Sequence, residues 1–214
     1  VVTLGMNESK LIVVLGDQLS LNQSALKQAQ AGRDIILLAE VAEEATYVRH
    51  NRHKIALLFS AMRHFRLELE ALGHIVHYIS IDQAVASLEE AARVVLDQHA
   101  VSEVVVCEPG EYRLLNQMRS VWPVSLSMPV NILEDDRFLA SHEDFELWAS
   151  GKKQLRMEFF YRKMRERYQL LMDEGQPAGG KWNYDADNRV GWRNQVEIPD
   201  RPDIRPDAMT SEVI

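Results

Sequence analysis

The sequence predicts an α/β protein: a doubly wound, Rossmann-like, five-stranded parallel sheet with helices on both faces, plus a C-terminal helix and an extended linker. Three observations predict it. Five short apolar runs, Leu11–Leu15, Ile35–Ala39, Ile75–Ile79, Val104–Cys107 and Val130–Leu133, recur along the chain. Each is too short for a helix and rich in Val, Ile or Leu, as strands covered on both faces are. Amphipathic stretches separate the runs, so the order reads βαβαβαβαβ, the pattern of a parallel sheet with strand order 3-2-1-4-5.

Between the first two runs, Ser24–Ala31 fits a short helix. After the second, Ile55, Leu58, Phe59, Met62, Phe65, Leu69 and Leu72 keep the three-and-four spacing of one buried helix face, and Gly73 stops it. Ala84–His99 and Tyr112–Val121 supply the next two helices. Beyond the fifth run, Ser141 with Asp144 three residues on reads as a helix start. A longer helix follows, with Phe160, Met164, Tyr168 and Leu171 on one face, then a loop over 175–180. Past Trp192 the stretch 197–206 is extended and punctuated by proline, and Thr210–Ile214 resembles a helix cap with its first turn. The expected division is an α/β domain over 1–140, a helical extension packing on it over 141–175, and an interdomain linker over 176–214.

A chain of 214 residues with 46% hydrophobic content supports one sizeable core and an extension. No apolar run approaches the roughly 18–20 residues that span a bilayer, and Val1–Lys10 lacks the order of a signal peptide. A soluble, cytoplasmic protein with no membrane partner is expected. The single cysteine, Cys107, excludes an internal disulfide and any cysteine-built cluster, and its apolar surroundings suggest a buried thiol. A net charge of −8 argues against general phosphate attraction to DNA. The stretch 152–167 is the exception, with seven basic residues against Glu158 and Glu166. A solvated helix face is the ordinary reading, and contact with another domain the less common one.

Ligands of open parallel sheets bind beyond the carboxyl ends of the strands where strand order reverses, here between the first and fourth runs. The residues there are Gly16, Asp17, Gln18 and Leu19, and Glu108, Pro109, Gly110 and Glu111. The second run adds Glu40 and Val41, with Glu44 and Tyr47 following. Glycines let a flat ring approach the backbone, and carboxylates accept from ring N–H groups or hydroxyls. Four acids with no lysine beside them would repel a pyrophosphate, and no G-x-G-x-x-G follows the first run. An uncharged, planar, polyhydroxylated ligand fits better, against the plain reading of acids that cap helix N-termini.

Other signals fail. Gly175–Lys181 has the spacing G-x-x-x-x-G-K, but Trp182 stands where Ser or Thr must hold magnesium, and a helix precedes it. His50 and His53 have no third ligand, so no metal site is assigned. Asp135 and Asp136 have no partner signature, and no catalytic constellation is found.

Several segments in order carry a family resemblance: Leu15-Gly-Asp-Gln-Leu-Ser20, Phe59-Ser-Ala-Met-Arg-His-Phe65, Glu108-Pro-Gly-Glu-Tyr-Arg113, Arg137-Phe-Leu-Ala-Ser-His142, Met157–Arg165 and Gly179–Arg189. Together they resemble the photolyase-related proteins of bacteria, the iron–sulfur photolyase and cryptochrome group. The resemblance covers nearly the whole chain and implies the N-terminal antenna domain of a flavoprotein roughly twice as long. It implies 6,7-dimethyl-8-ribityllumazine as antenna chromophore, with Asp17, Glu44 and Tyr47 as contacts and Gly16, Glu40, Val41 and Gly110 in support. FAD, a 4Fe-4S cluster and most of the lesion pocket would belong to a C-terminal helical half that this chain lacks. That half would be its partner, with damaged DNA met only by the intact protein, in light-driven repair of (6-4) type or in blue-light sensing. The chain alone would then be inactive. The alternative is a free-standing Rossmann-like module that binds a nucleotide or other small molecule.

Overall fold

The computed structural model describes residues 9–185, 189, 197 and 199–214. Of the readings above, Val1–Glu8, residues 186–188 of the last motif and the linker positions 190–196 and 198 lie outside the described residues. The described chain forms two compact units, one of residues up to Arg137 with Pro206–Ile214, the other Phe138–Arg205.

The first unit is built on a parallel five-stranded sheet in the order β3-β2-β1-β4-β5, the expected order. Its strands are β1 (Ser9–Val13), β2 (Ile35–Ala39), β3 (Ile75–Ile79), β4 (Val101–Cys107) and β5 (Val130–Leu133). Because side chains alternate along a strand, the central runs feed two separate cores. Leu11, Val13, Ile35 and Leu37 face α4 (Leu88–Gln98) and the helical stretch that begins with α5 (Tyr112–Asn116). Ile12, Val14, Ile36 and Leu38 face α1 (Ser24–Gln28) and α3 (Arg52–Ala71) through Leu26, Met62, Phe65 and Leu69. Both faces are covered, which makes the sheet doubly wound. Cys107 is fully buried in the second core, and that burial pushes its thiol pKa up.

Helix ends follow local chemistry. Asn51 caps α3 by accepting from the His53 N–H at 2.8 Å. At the other end Gly73 takes a φ of 84°, and the N–H groups of Gly73 and His74 return to Glu70 and Leu69. The helix expected from Ala84 starts later. Ile81–Gln83 forms a single 3-10 turn, Ala84 takes φ 55°, and Ser87 caps α4. A π turn over Gln117–Val121 joins α5 to α6 (Trp122–Ser125), where Pro123 lacks the N–H that a regular helix would use. Trp122, 1% exposed, anchors this joint in the core.

The last segment of the first unit is α9 (Ala208–Val213), capped by Asp207 rather than by Thr210, whose N–H is the donor. It lies on α3, with Asp207 2.9 Å from His64 and Glu212 4.0 Å from Arg63.

The second unit contains α7 (His142–Ala149), α8 (Met157–Tyr168) and a two-stranded hairpin of β6 (Met172–Asp173) and β7 (Gln176–Pro177). The capping box at Ser141 and Asp144 forms as expected. Trp148, Phe160 and Met164 make a small core. Tyr168 is the last residue of α8, and Leu171 lies beyond it, exposed and with φ 53°, so the expected stripe ends early. Arg162 and Arg165 stack over Trp182 at 5.3 and 5.2 Å. Phe159, Tyr161 and Met157 are exposed along α8. No helix among the described residues is long and apolar enough to cross a membrane.

Candidate ligand-binding site

At the centre of the sheet the chain leaves β1 for the α1 face and β4 for the α5 face, so the carboxyl ends of these strands part and leave a crevice. A cleft of about 220 Å³ opens there. Gly16 and Asp17 form one wall beyond β1, and Val41, Glu44 and Tyr47 a second, beyond β2 and along α2 (Ala42–Thr46). Pro109, Gly110, Glu111 and Leu114 form a third after β4. The floor is apolar, made of Ile55, Leu58, Phe59 and Met62 from the first half of α3. Gly16 lets α3 approach closely: a Cβ there would sit 3.0 Å from the Met62 sulfur.

Eight residues singled out from the sequence therefore share one cleft: Gly16, Asp17, Val41, Glu44, Tyr47, Pro109, Gly110 and Glu111. Three others are used elsewhere. Gln18 is 1% exposed, and its Nε2 donates to the carbonyls of Cys107 at 3.4 Å and Glu108 at 3.0 Å, tying the end of β1 to that of β4. Glu108 continues that seam through its N–H to the Leu133 carbonyl at 2.7 Å. Glu40 is fully buried. Its Oε1 accepts from Arg63 Nε at 2.7 Å and from the Tyr78 hydroxyl at 2.5 Å, and its Oε2 from Arg63 Nη2 and the Ile81 N–H, each at 3.0 Å. Burial alone would raise this carboxyl's pKa; these donors outweigh it and hold the group below its ordinary value.

The rim is less uniformly acidic than its strand-end residues suggested. Lys54 and His50 line the cleft, and the Lys54 ammonium lies 3.4 Å from His50 Nδ1. His50 packs edge-on against Tyr47, ring centroids 5.2 Å apart. Arg113 sits among the acids, its Nη2 donating to both Glu44 oxygens at 2.8 and 2.9 Å, its Nη1 to Glu43 at 3.2 Å and its Nε to Glu111 at 2.9 Å. The expectation of acids without a nearby lysine is thus corrected, and the electrostatic case against an anionic ligand group weakens with it. Burial still pushes the Glu44 carboxyl up; Arg113 opposes that, Glu111 and Glu43 add to it, and the group ends above its ordinary value.

Sequence reasoning missed the floor and the cations. The stripe Ile55, Leu58, Phe59 and Met62 was legible only as core, because spacing cannot tell which part of a buried face meets the sheet and which part meets a cleft. Lys54 had no motif signal, and Arg113 ends the family segment Glu108–Arg113 without a role being assigned to it there. Chemically, the cleft offers a slot for a flat ring against Tyr47 and Phe59, with carboxylates at the rim for hydroxyl or N–H donors.

Comparison with known proteins adds to this geometry. The family described as deoxyribodipyrimidine photo-lyase-related protein matches residues 12–214. The (6-4) photolyase of Agrobacterium fabrum (strain C58 / ATCC 33970) is 44% identical over 208 residues, 96% of this chain. The chain spans only 41% of that relative's length. An uncharacterized protein of Acanthamoeba polyphaga mimivirus is 23% identical over 173 residues, covering 77% of this chain and 86% of the viral protein.

Proposed function

The chain belongs to the deoxyribodipyrimidine photo-lyase-related family, and from that premise we propose that it is the light-harvesting domain of a photolyase- or cryptochrome-like flavoprotein. The observation that carries this reading is the cleft at the β1/β4 switch point, with an apolar floor, a tyrosine and glycine-lined walls. The chromophore that suits it is 6,7-dimethyl-8-ribityllumazine. Its ring has the flat, apolar faces that Tyr47, Leu58, Phe59 and Met62 can sandwich, and its ribityl hydroxyls are donors for Asp17 and Glu44. When bound, the lumazine supplies light absorption and passes excitation onward. The protein's part is to orient the ring, exclude water from it and fix its surroundings.

FAD and a 4Fe-4S cluster belong, in this reading, to the other half of the intact cytoplasmic protein. A cluster needs four thiolates, and Cys107 is the chain's one cysteine. Light-driven repair of (6-4) lesions or blue-light sensing is then an activity of the two halves together, with DNA contacted by the whole. The exposed aromatic and basic side chains of α8 suit contact with that second half.

One observation favours a second reading. The mimivirus relative is covered over 86% of its length, so a protein of about this extent exists on its own. On that reading the cleft serves a free-standing binding module.

The test is fluorescence titration of the purified chain with the lumazine, beside a D17A/E44A double variant and a panel of nucleotides. Saturable lumazine binding that the double variant loses is the expected result. A folded chain that ignores the lumazine but binds a nucleotide would replace the antenna reading with the module.

A further inference from the structure

We propose that Arg113 is the positioning residue of the cleft: from the start of α5 it holds Glu44 and Tyr47, across the opening on α2, in the pose in which they meet a ligand. The ligand part of this rests on the cleft being the chromophore site. Helix α2 has five residues, none buried, and its N-cap makes no side-chain hydrogen bond. Apolar packing fixes only its start, through the buried N-cap Val41, and leaves the turn that carries Glu44 half-exposed. One main-chain bond ties its first turn, from the Glu43 N–H to the Ala86 carbonyl at 2.9 Å. From across the cleft Arg113 reaches it through side-chain bonds. The guanidinium meets both Glu44 oxygens through Nη2, bridges to Glu43 and Glu111 through Nη1 and Nε, and lies over the Tyr47 ring with Cζ 4.3 Å from its centroid.

One planar cation thus sets two cleft residues at once. Its Nη2 donates to both oxygens of Glu44 while Nη1 and Nε engage Glu43 and Glu111 and the guanidinium lies over Tyr47, a set of contacts a lysine cannot make together. This contact leaves Glu44 with acceptor capacity, since a carboxylate has about four lone-pair sites and Arg113 Nη2 takes one on each oxygen. Those remaining sites are what a hydroxyl or ring N–H would use. The ionised groups that bear on Glu44 are Arg113 and Glu111 from the β4–α5 stretch and Glu43 from its own helix. Asp17, His50 and Lys54 line the same cleft.

The experiment has a ligand-free arm and a ligand arm, in the wild type, R113Q and R113K. In the first, the Glu44 carboxyl carbon is followed by NMR against pH. R113Q removes the partner that favours the charged form and keeps the two acids that oppose it, so the titration moves to higher pH, with R113K between. In the second, lumazine affinity near neutral pH falls about tenfold in R113Q, the scale of one charge-assisted contact. The acid loss of binding also begins at higher pH than in the wild type. A Glu44 titration in R113Q that overlays the wild type overturns the proposal, whether or not lumazine binds. A displaced titration with unchanged lumazine affinity also overturns it. If the wild type binds no lumazine while the titration moves, the chromophore reading fails and the placement of Glu44 by Arg113 holds.

Discussion

Replacing Glu40 by glutamine tests a fully buried carboxylate that accepts from four donors, two on each oxygen. A glutamine has one acceptor oxygen, so its NH₂ must face two of those donors whichever way the amide turns. Two stranded donors at about 1–1.5 kcal/mol each give a loss of about 2–3 kcal/mol. Breaking a buried ion pair by removing one partner costs about 3–5 kcal/mol, and the low end applies because the Arg63 side chain keeps 17% exposure and can reach water. The two routes agree on about 3 kcal/mol. Urea unfolding of wild type and E40Q at neutral pH, followed by circular dichroism, measures it. Because Glu40 titrates below its ordinary value in the folded chain, its contribution is complete above that ordinary value. It is lost as pH falls through the folded value, so the gap between the two proteins narrows in acid. A gap under about 1 kcal/mol at neutral pH, or one that widens on acidification, would refute the picture of a charged, fully satisfied Glu40.

Three further outcomes follow from packing. Gly16→Ala places a Cβ 3.0 Å from the flexible Met62 side chain, which yields into the cleft. Stability then falls by about 1 kcal/mol or less while chromophore affinity drops several-fold, as a thermal melt and a titration would show. Trp122→Ala removes a 1% exposed indole from the core beside the π turn and costs about 3–5 kcal/mol in urea unfolding. Cys107, buried and with its thiol pKa raised, reacts with a disulfide reagent only as fast as the native chain opens, and rapidly in urea; prompt reaction of the folded protein would contradict its burial.

The sheet was legible because its signal is collective. Each central strand is apolar on both faces, and only one common arrangement hides such strands. Helix starts were harder. Ala84 stands in an apolar, helix-compatible stretch, yet Ser80 and Gln83 close a 3-10 turn first and Ser87 supplies the real cap. At the C-terminus, Thr210 and Asp207 are both good caps, and only the backbone decides between them. Within the site, strand-end logic places residues near a rim without saying which way they point. Glu40 and Val41 are neighbours, and the alternation of the chain turns one to Arg63 and Tyr78 and the other to the cleft. The role of Arg113 was out of reach for a different reason: apart from Glu111, two residues away, its partners Glu43, Glu44 and Tyr47 are distant in sequence, and no local pattern announces such a meeting.

The strand order also bears on how the protein is made. β1 lies at the centre of the sheet, but its two neighbours are synthesised at very different times. β2 follows after one short helix, whereas Leu11 to Val13 wait for Val104 to Val106 before their second edge is paired. Until then the nascent chain carries a central strand, apolar on both faces, with a row of open backbone groups. The β1–β2–β3 piece is therefore sticky while it waits on the ribosome, and release of the chain before Cys107 would yield an aggregating product instead of a smaller fold. Slow arrival of β4 makes the seam beside the cleft the last part of the central sheet to close.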